Sequence, residues 1–246
     1  MLPVIARHFR RHAQGSALVA GLFLVGCGEG DAQPAPGRAR SPECVAPAGV
    51  SNHPTSIEQT RLLINALPKP LTLACFVESL ARPLRLFASR SQLSAQPATG
   101  LRSPRLFVFM GANTMTVVPE GDGAHLLEFG EQRDDFRSLK AEIPFPVTTE
   151  LAPDAPFHIM FNERLTNCAF CHAAEEQDPS IGYARAFVSE ALRPRDGERV
   201  APESMRAELA SCDASREPGR CALLDALFGW GPVEEQPFPA GMATFD

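Results

Sequence analysis

Two thiols and an imidazole stand together at Cys168-Ala169-Phe170-Cys171-His172. Cysteines three residues apart can sit on one helical turn, so both sulfurs can reach one partner. The adjacent His adds a nitrogen ligand of the kind transition metals take. Several chemistries use such a set. A redox pair wants a strand before it and a first thiol made acidic at a helix start. The preceding residues 162–167 (NERLTN) offer no such strand, although Asn167 could cap a helix. Zinc needs two further ligands, for which Cys212 and Cys221 are the candidates. A Cys168–Cys171 disulfide would close a tight, strained loop. The set is open to a fourth use as well.

That last use is the one the pentapeptide resembles: C-x-x-C-H is the haem-attachment motif of c-type cytochromes. The resemblance implies thioethers from Cys168 and Cys171, His172 as proximal iron ligand, and one covalent haem c per chain. It covers the pentapeptide and little else. In the small all-helical cytochromes c the motif lies near the start of its domain, whereas here it follows a strand-like stretch. Those proteins also place a Met ligand downstream, often among Pro and Gly. Met242, in Phe238-Pro239-Ala240-Gly241-Met242, is the nearest parallel, and Met205 is a second candidate. Met205 also shares a helical stripe with Leu209 and Cys212, which suits core packing. His125 and His158 are the histidine alternatives. A sixth protein ligand suits electron transfer, while an open position admits small ligands or peroxide.

The resemblance also implies a compartment, since bacterial c-type haem is attached outside the cytoplasmic membrane, and the start of the chain agrees with it. Residues 1–16 carry Arg7, Arg10 and Arg11 and no acid, and residues 17–26 read ALVAGLFLVG. A helix of ten residues reaches about 15 Å, half a bilayer core, so this reads as an export signal rather than a span. The run ends Leu24-Val25-Gly26-Cys27, which resembles a bacterial lipobox and implies signal peptide 1–26 and lipid on Cys27. The resemblance places the protein in the bacterial cell envelope, and Gly28 fits the periplasmic side of the outer membrane better than inner-membrane retention. Removal of the leader takes away three Arg and no acid, so the formal charge goes from -6 to about -9 over about 220 residues. Such an acidic chain is a poor nucleic-acid ligand.

The elements that must hold the motif follow from periodicity. Residues 27–54 are rich in Gly, Ala, Pro and Ser and read as a flexible tether. Thr55-Ser56-Ile57-Glu58 fits a capping box ahead of a helix over 57–67. Residues 71–82 are ambiguous between strand and short helix. Alternation at Leu106, Val108 and Met110, and again at Ile143, Phe145 and Val147, predicts five or six short strands over 84–161, with PFHIMF (156–161) extended. Pro202-Glu203 opens a predicted helix and residues 219–229 form another. The last 15 residues look irregular. The fold expected is α+β: a β-rich antiparallel, sandwich-like region over 55–161, flanking helices, and a haem-binding helical or irregular region over 162–246, which can form one domain with the first.

Four cysteines remain. Cys212 and Cys221 bracket a turn-rich loop and pair most plausibly, which leaves Cys44 with Cys75. Glu175, Glu176 and Asp178 read as a solvated loop. The leading function is electron transfer, with a redox partner protein in the envelope and the bilayer contacted through Cys27. Two alternatives stay open: a haem-free binding lipoprotein whose C-x-x-C is structural or metal-binding, and a haem sensor or peroxidase-like enzyme with an open iron site.

Overall fold

Strand-forming residues alternate in character through the middle of the chain, and the sheet they build has two unlike faces. The computed structural model describes residues 38–134 and 136–244, which belong to one compact unit. The leader and Cys27 lie outside them. Five strands form the sheet's centre: β1 (Leu84–Ser89), β2 (Arg105–Met110), β3 (Asn113–Val117), β4 (Leu126–Gln132) and β5 (Arg137–Pro144). Four short ones complete it: β6 (Glu176–Gln177), β7 (Phe187–Glu190), β8 (Arg199–Val200) and β9 (Val233–Glu235). The order is β6-β7-β5-β4-β3-β2-β1-β8, and β9 lies parallel to β1 while all other pairs are antiparallel. The fold is therefore α+β with a sheet-rich centre. It is one sheet backed by helices, not two sheets face to face.

Leu106, Val108 and Met110 of β2 point to one side, and Phe107 and Phe109 to the other. The first set joins Leu86, Met115, Leu127, Leu139 and Ile143 in the main core. Four α-helices among the described residues pack against it: α1 (Ile57–Ala66), α2 (Leu73–Ser79), α3 (Pro202–Ala210) and α4 (Pro218–Phe228). Leu63, Phe76, Leu224 and Leu227 are fully buried there. Residues 55–161 and 162–246 thus share one core and one sheet.

Local chemistry sets the element ends. Ser56 caps α1 by accepting from the Gln59 N–H, and the Gln59 amide oxygen accepts from the Thr55 N–H. The box is therefore shifted one residue from the Thr55–Glu58 expected, because Gln59 occupies the third helical position. Residues 71–82 resolve to α2, capped by Thr72. Pro202 and Pro218 open α3 and α4, where a missing N–H costs nothing. Gly111, at φ 62°, opens the two-residue β2–β3 turn; a Cβ there would come within 3.0 Å of Thr55.

Two expectations are corrected. Residues 156–161 are not a strand: a 3-10 turn over Ala155–Phe157 is followed by a single bridge between Met160 and Thr166. Pro156 and the turn at Asp154 bend the chain before a ladder can form. Residues 38–54, the described part of the expected tether, are folded onto the body. Cys44 is bonded to Cys75, Arg38 makes two hydrogen bonds to the Glu78 carboxylate, and Arg40 stacks 4.1 Å from the Trp230 ring centroid. The Cys44–Cys75 pairing is the one expected, whereas composition, which shows only a lack of hydrophobic period there, carries no sign of the cation–π anchor. The second bond joins Cys212 and Cys221. No helix among the described residues is long and apolar enough to cross a membrane.

Candidate functional site

On the sheet face turned away from the helices, the outward residues are polar or aromatic. Facing pairs carry the pattern across the strands: Phe107 opposite Thr116, Thr116 opposite Glu128, Gly130 opposite Lys140. They floor a solvent-open cleft with a cavity volume of about 160 Å³. Cys168, Cys171 and His172 line one part of it, and Phe238 and Met242 line another. The motif and the downstream Met candidate, 70 residues apart in sequence, therefore open onto one space.

The motif is held by a short 3-10 turn, Asn167–Phe170. Thr166 caps it by accepting from the Cys168 N–H at 3.1 Å. The Cys168 carbonyl accepts from Cys171 N–H at 3.1 Å and His172 N–H at 2.9 Å, which folds all three functional side chains into one turn. Glu175 pins the turn by accepting from the Thr166 N–H at 2.7 Å and from its hydroxyl. Glu175 and Asp178 are thus not part of the solvated loop expected, while Glu176 is exposed as expected. Glu176 pairs with Arg137, and Asp178 is buried against Arg133 and Ser180. Their partners lie on distant strands or in the next turn, where residue spacing carries no trace of them.

His172 is fixed by a backbone group that sequence could not reveal. Its Nδ1 lies 2.8 Å from the Glu190 carbonyl oxygen at the end of β7. A carbonyl only accepts, so Nδ1 carries the proton and Nε2 carries the free lone pair. Burial, then the charge of Lys140, hold the imidazole down to about 3, so it is neutral at physiological pH. Neutral imidazole with a carbonyl on Nδ1 is the arrangement of a metal-ligating His. Burial pushes the Cys168 thiol up to about 11, with nearby Glu128 adding to it. An attacking redox cysteine needs the opposite shift and a true helix start, and this turn supplies neither.

Lys140 and Arg105 are the cations of the cleft floor. Lys140 is 5% exposed and donates to Ser138 Oγ at 2.7 Å and to the Glu190 carbonyl at 3.0 Å. Burial pushes its ammonium down to about 8. Arg105 pairs with Glu128 at 2.6 Å and bonds Thr116. Glu142 is pushed above the usual carboxylate range by burial and by Glu128. Phe238 closes the other end, with ring centroids 5.0–5.3 Å from Phe87, Phe107 and Phe109. Gln236 N–H to Leu86 O and Arg193 to Met242 O fasten its segment. None of Lys140, Arg105, Glu190 and Phe238 is signalled by spacing: each reads as an ordinary alternating or terminal residue.

The other ligand candidates stand elsewhere. Met205 is fully buried in the main core with Leu209 and Cys212 beside it, on the helical side of the sheet. His125 is exposed at a strand start, and His158 is paired with Asp154 beside a separate surface hollow. Cys212 and Cys221 are bonded to each other and cannot complete a zinc site. Among the described residues no group of three or more His, Cys, Asp or Glu converges as a metal site.

Apolar and polar side chains share the lining of the cleft. Ile159, Phe107, Phe238 and Met242 offer apolar wall, and Gly130 on the floor adds no side chain. A Cβ at Gly130 would stand 3.3 Å from Ser138 Oγ. Arg105 Nε and Ser189 Oγ are buried without hydrogen-bond partners. Ser189 faces Ser138 across the β5–β7 ladder and so shares the cleft side. Of the two, Arg105 lines the cleft. No protein-family model, curated protein or solved structure matches this chain.

Proposed function

We propose that this chain is an exported, lipid-anchored carrier of one covalent haem c that passes single electrons in the bacterial cell envelope. One observation carries the reading: a neutral His172 with its Nδ1–H on the Glu190 carbonyl, its Nε2 free, and both thiols on the same turn facing one cleft. Cys168 and Cys171 would hold the haem through thioethers, each thiol adding its S–H across one vinyl group, and His172 Nε2 would ligate the iron. Bound there, haem supplies a one-electron ferric/ferrous couple. The chain's own residues do the rest. The 3-10 turn presents the sulfurs, Glu190 fixes the imidazole tautomer, Phe107 and Phe238 exclude water, and Met242 stands in the same cleft as the candidate sixth ligand. The bilayer contact through Cys27 and the envelope redox partner follow from the leader and the haem reading together.

A second reading keeps the haem and leaves the sixth position open to small molecules. Its support is the polar floor of Arg105, Thr116 and Glu128, which can hydrogen-bond a small polar ligand.

The test is a pyridine haemochrome spectrum of full-length protein matured in a host with haem-attachment machinery. A thioether-type spectrum that disappears in Cys168→Ala/Cys171→Ala supports covalent haem, and its absence from the wild type sinks both haem readings in favour of the haem-free one. Loss of a Met–iron charge-transfer band on Met242→Leu supports electron transfer. Ready binding of CO to the wild-type ferrous protein supports the open site.

A further inference from the structure

We infer that Lys140 is a positioning residue for His172, and that it raises the reduction potential of the iron that Nε2 holds. The inference rests on the haem reading above and adds a residue that the motif does not contain.

The argument starts from one oxygen. The Glu190 carbonyl has two lone pairs. One accepts His172 Nδ1–H at 2.8 Å and the other accepts Lys140 Nζ at 3.0 Å. Lys140 is 5% exposed, and its other acceptor, Ser138 Oγ, is neutral. No carboxylate lies within ion-pair distance of it among the described residues. Its charge is therefore not cancelled by a direct ion pair, and its burial keeps water from screening it fully. The titratable and charged groups within its electrostatic reach are the neutral Cys168 thiol, Arg105, Glu128 and Glu175. Glu128 is already committed to Arg105, and Glu175 to Thr166.

Two effects follow, with the same sign. An ammonium on the shared oxygen draws electron density from it, so the carbonyl accepts less strongly from Nδ1–H. The imidazole then has less imidazolate character and is a poorer donor to the metal. The fixed positive charge also disfavours the more positive oxidation state. Both raise the potential. Glu190 holds the ring and Lys140 sets how hard it is held, while neither touches the metal.

The test uses full-length protein matured with haem, in wild-type, Lys140→Met, Lys140→Gln and Lys140→Arg forms, at pH 6.5. Midpoint potentials come from spectroelectrochemistry. Lys140→Met should shift the one-electron equilibrium about tenfold toward ferric iron, a fall of about 59 mV. Lys140→Arg should restore most of it, which a purely structural role would not require. A folded, haem-loaded Lys140→Met within twofold of wild type overturns the inference. If Lys140→Met does not fold, the contrast between Lys140→Gln and Lys140→Arg decides it in the same way. Wild-type protein without covalent haem would sink the haem reading instead. In that case the His172 Nδ1–H proton resonance still decides the shared-carbonyl claim: it should move downfield in Lys140→Met, and an unmoved resonance overturns it.

Discussion

The two faces of the sheet are made from alternate residues of the same strands, yet they are filled in opposite ways. The inner face carries Leu106, Val108, Met110, Leu139 and Ile143 and is closed by helices and two disulfide-bonded segments. The outer face carries Phe107, Thr116, Glu128 and Lys140 and is covered only in part, by the Cys168 turn and the segment around Phe238. Close packing on one side supplies the stability that lets the other side keep buried cations and unpartnered donors. The difference shows where a site can sit: on the face that does not have to hold the fold together.

Single changes on the two faces should therefore differ in size. The largest stability effect is expected at Phe76, fully buried and 5.8 Å from the Phe145 ring. Phe76→Ala should cost about 3–5 kcal/mol in urea unfolding. His172→Ala on the outer face should cost less than about 1 kcal/mol, because that side chain is half-buried and makes one hydrogen bond. Equal losses would erase the distinction between the faces.

Next come the disulfides that close the inner layer. Cys44 and Cys75 are 31 residues apart, so replacing both with Ala should cost about 3–4 kcal/mol by loop-closure entropy. The shorter Cys212–Cys221 loop, with a separation of 9, should cost about 2–3 kcal/mol. A smaller loss from the longer loop would show that residues 38–54 stay docked without the bond.

Phe238→Ala removes three edge-on ring contacts on the outer face and should cost about 1–3 kcal/mol. Its sharper signature is local: limited proteolysis should cut residues 236–244 while the remaining fold persists. Protection unchanged from wild type would mean that Arg193 alone fastens the segment.

The smallest effect concerns Glu78. Burial opposes its ionisation, but the hydrogen bonds from Arg38 and the Ser41 N–H outweigh that and hold its carboxyl below the usual range. A depressed native value stabilises the fold above the unfolded value near 4.5, and that contribution is lost as pH falls through the lower native one. Glu78→Gln should flatten this acid limb by on the order of 1 kcal/mol. An unchanged limb would place the acid sensitivity elsewhere.

Legibility in the sequence divides along the same line. Strands β2, β3 and β4 and helices α1, α3 and α4 were readable from period two, turn signals or a helical stripe, whereas β1 was read only as part of a strand-rich stretch and the alternation at Ile143, Phe145 and Val147 runs past the end of β5 at Pro144. Strands β6 to β9 were not: two to four residues are too few for a period, and their pairing is settled by neighbours far along the chain. Within the site, Cys168, Cys171 and His172 announced themselves by spacing. Met205 and Met242 were both eligible from their distances along the chain, and only the fold separates a core methionine from one in the cleft. Glu190 contributes a backbone carbonyl, which no side-chain identity can advertise.

The sequence by itself determined which atoms could do chemistry, because thiol and imidazole reactivity belongs to the residue type and their close spacing forces them onto one turn. It also determined the two-faced character of the central strands, since each side chain's direction is fixed by the pleat. Tertiary structure alone decided which nitrogen of His172 is free, which methionine shares its cleft, and that a lysine stands behind the ring. Those choices depend on a carbonyl, a cleft and a charge brought together from strands and loops that are distant in sequence and meet only through long-range packing.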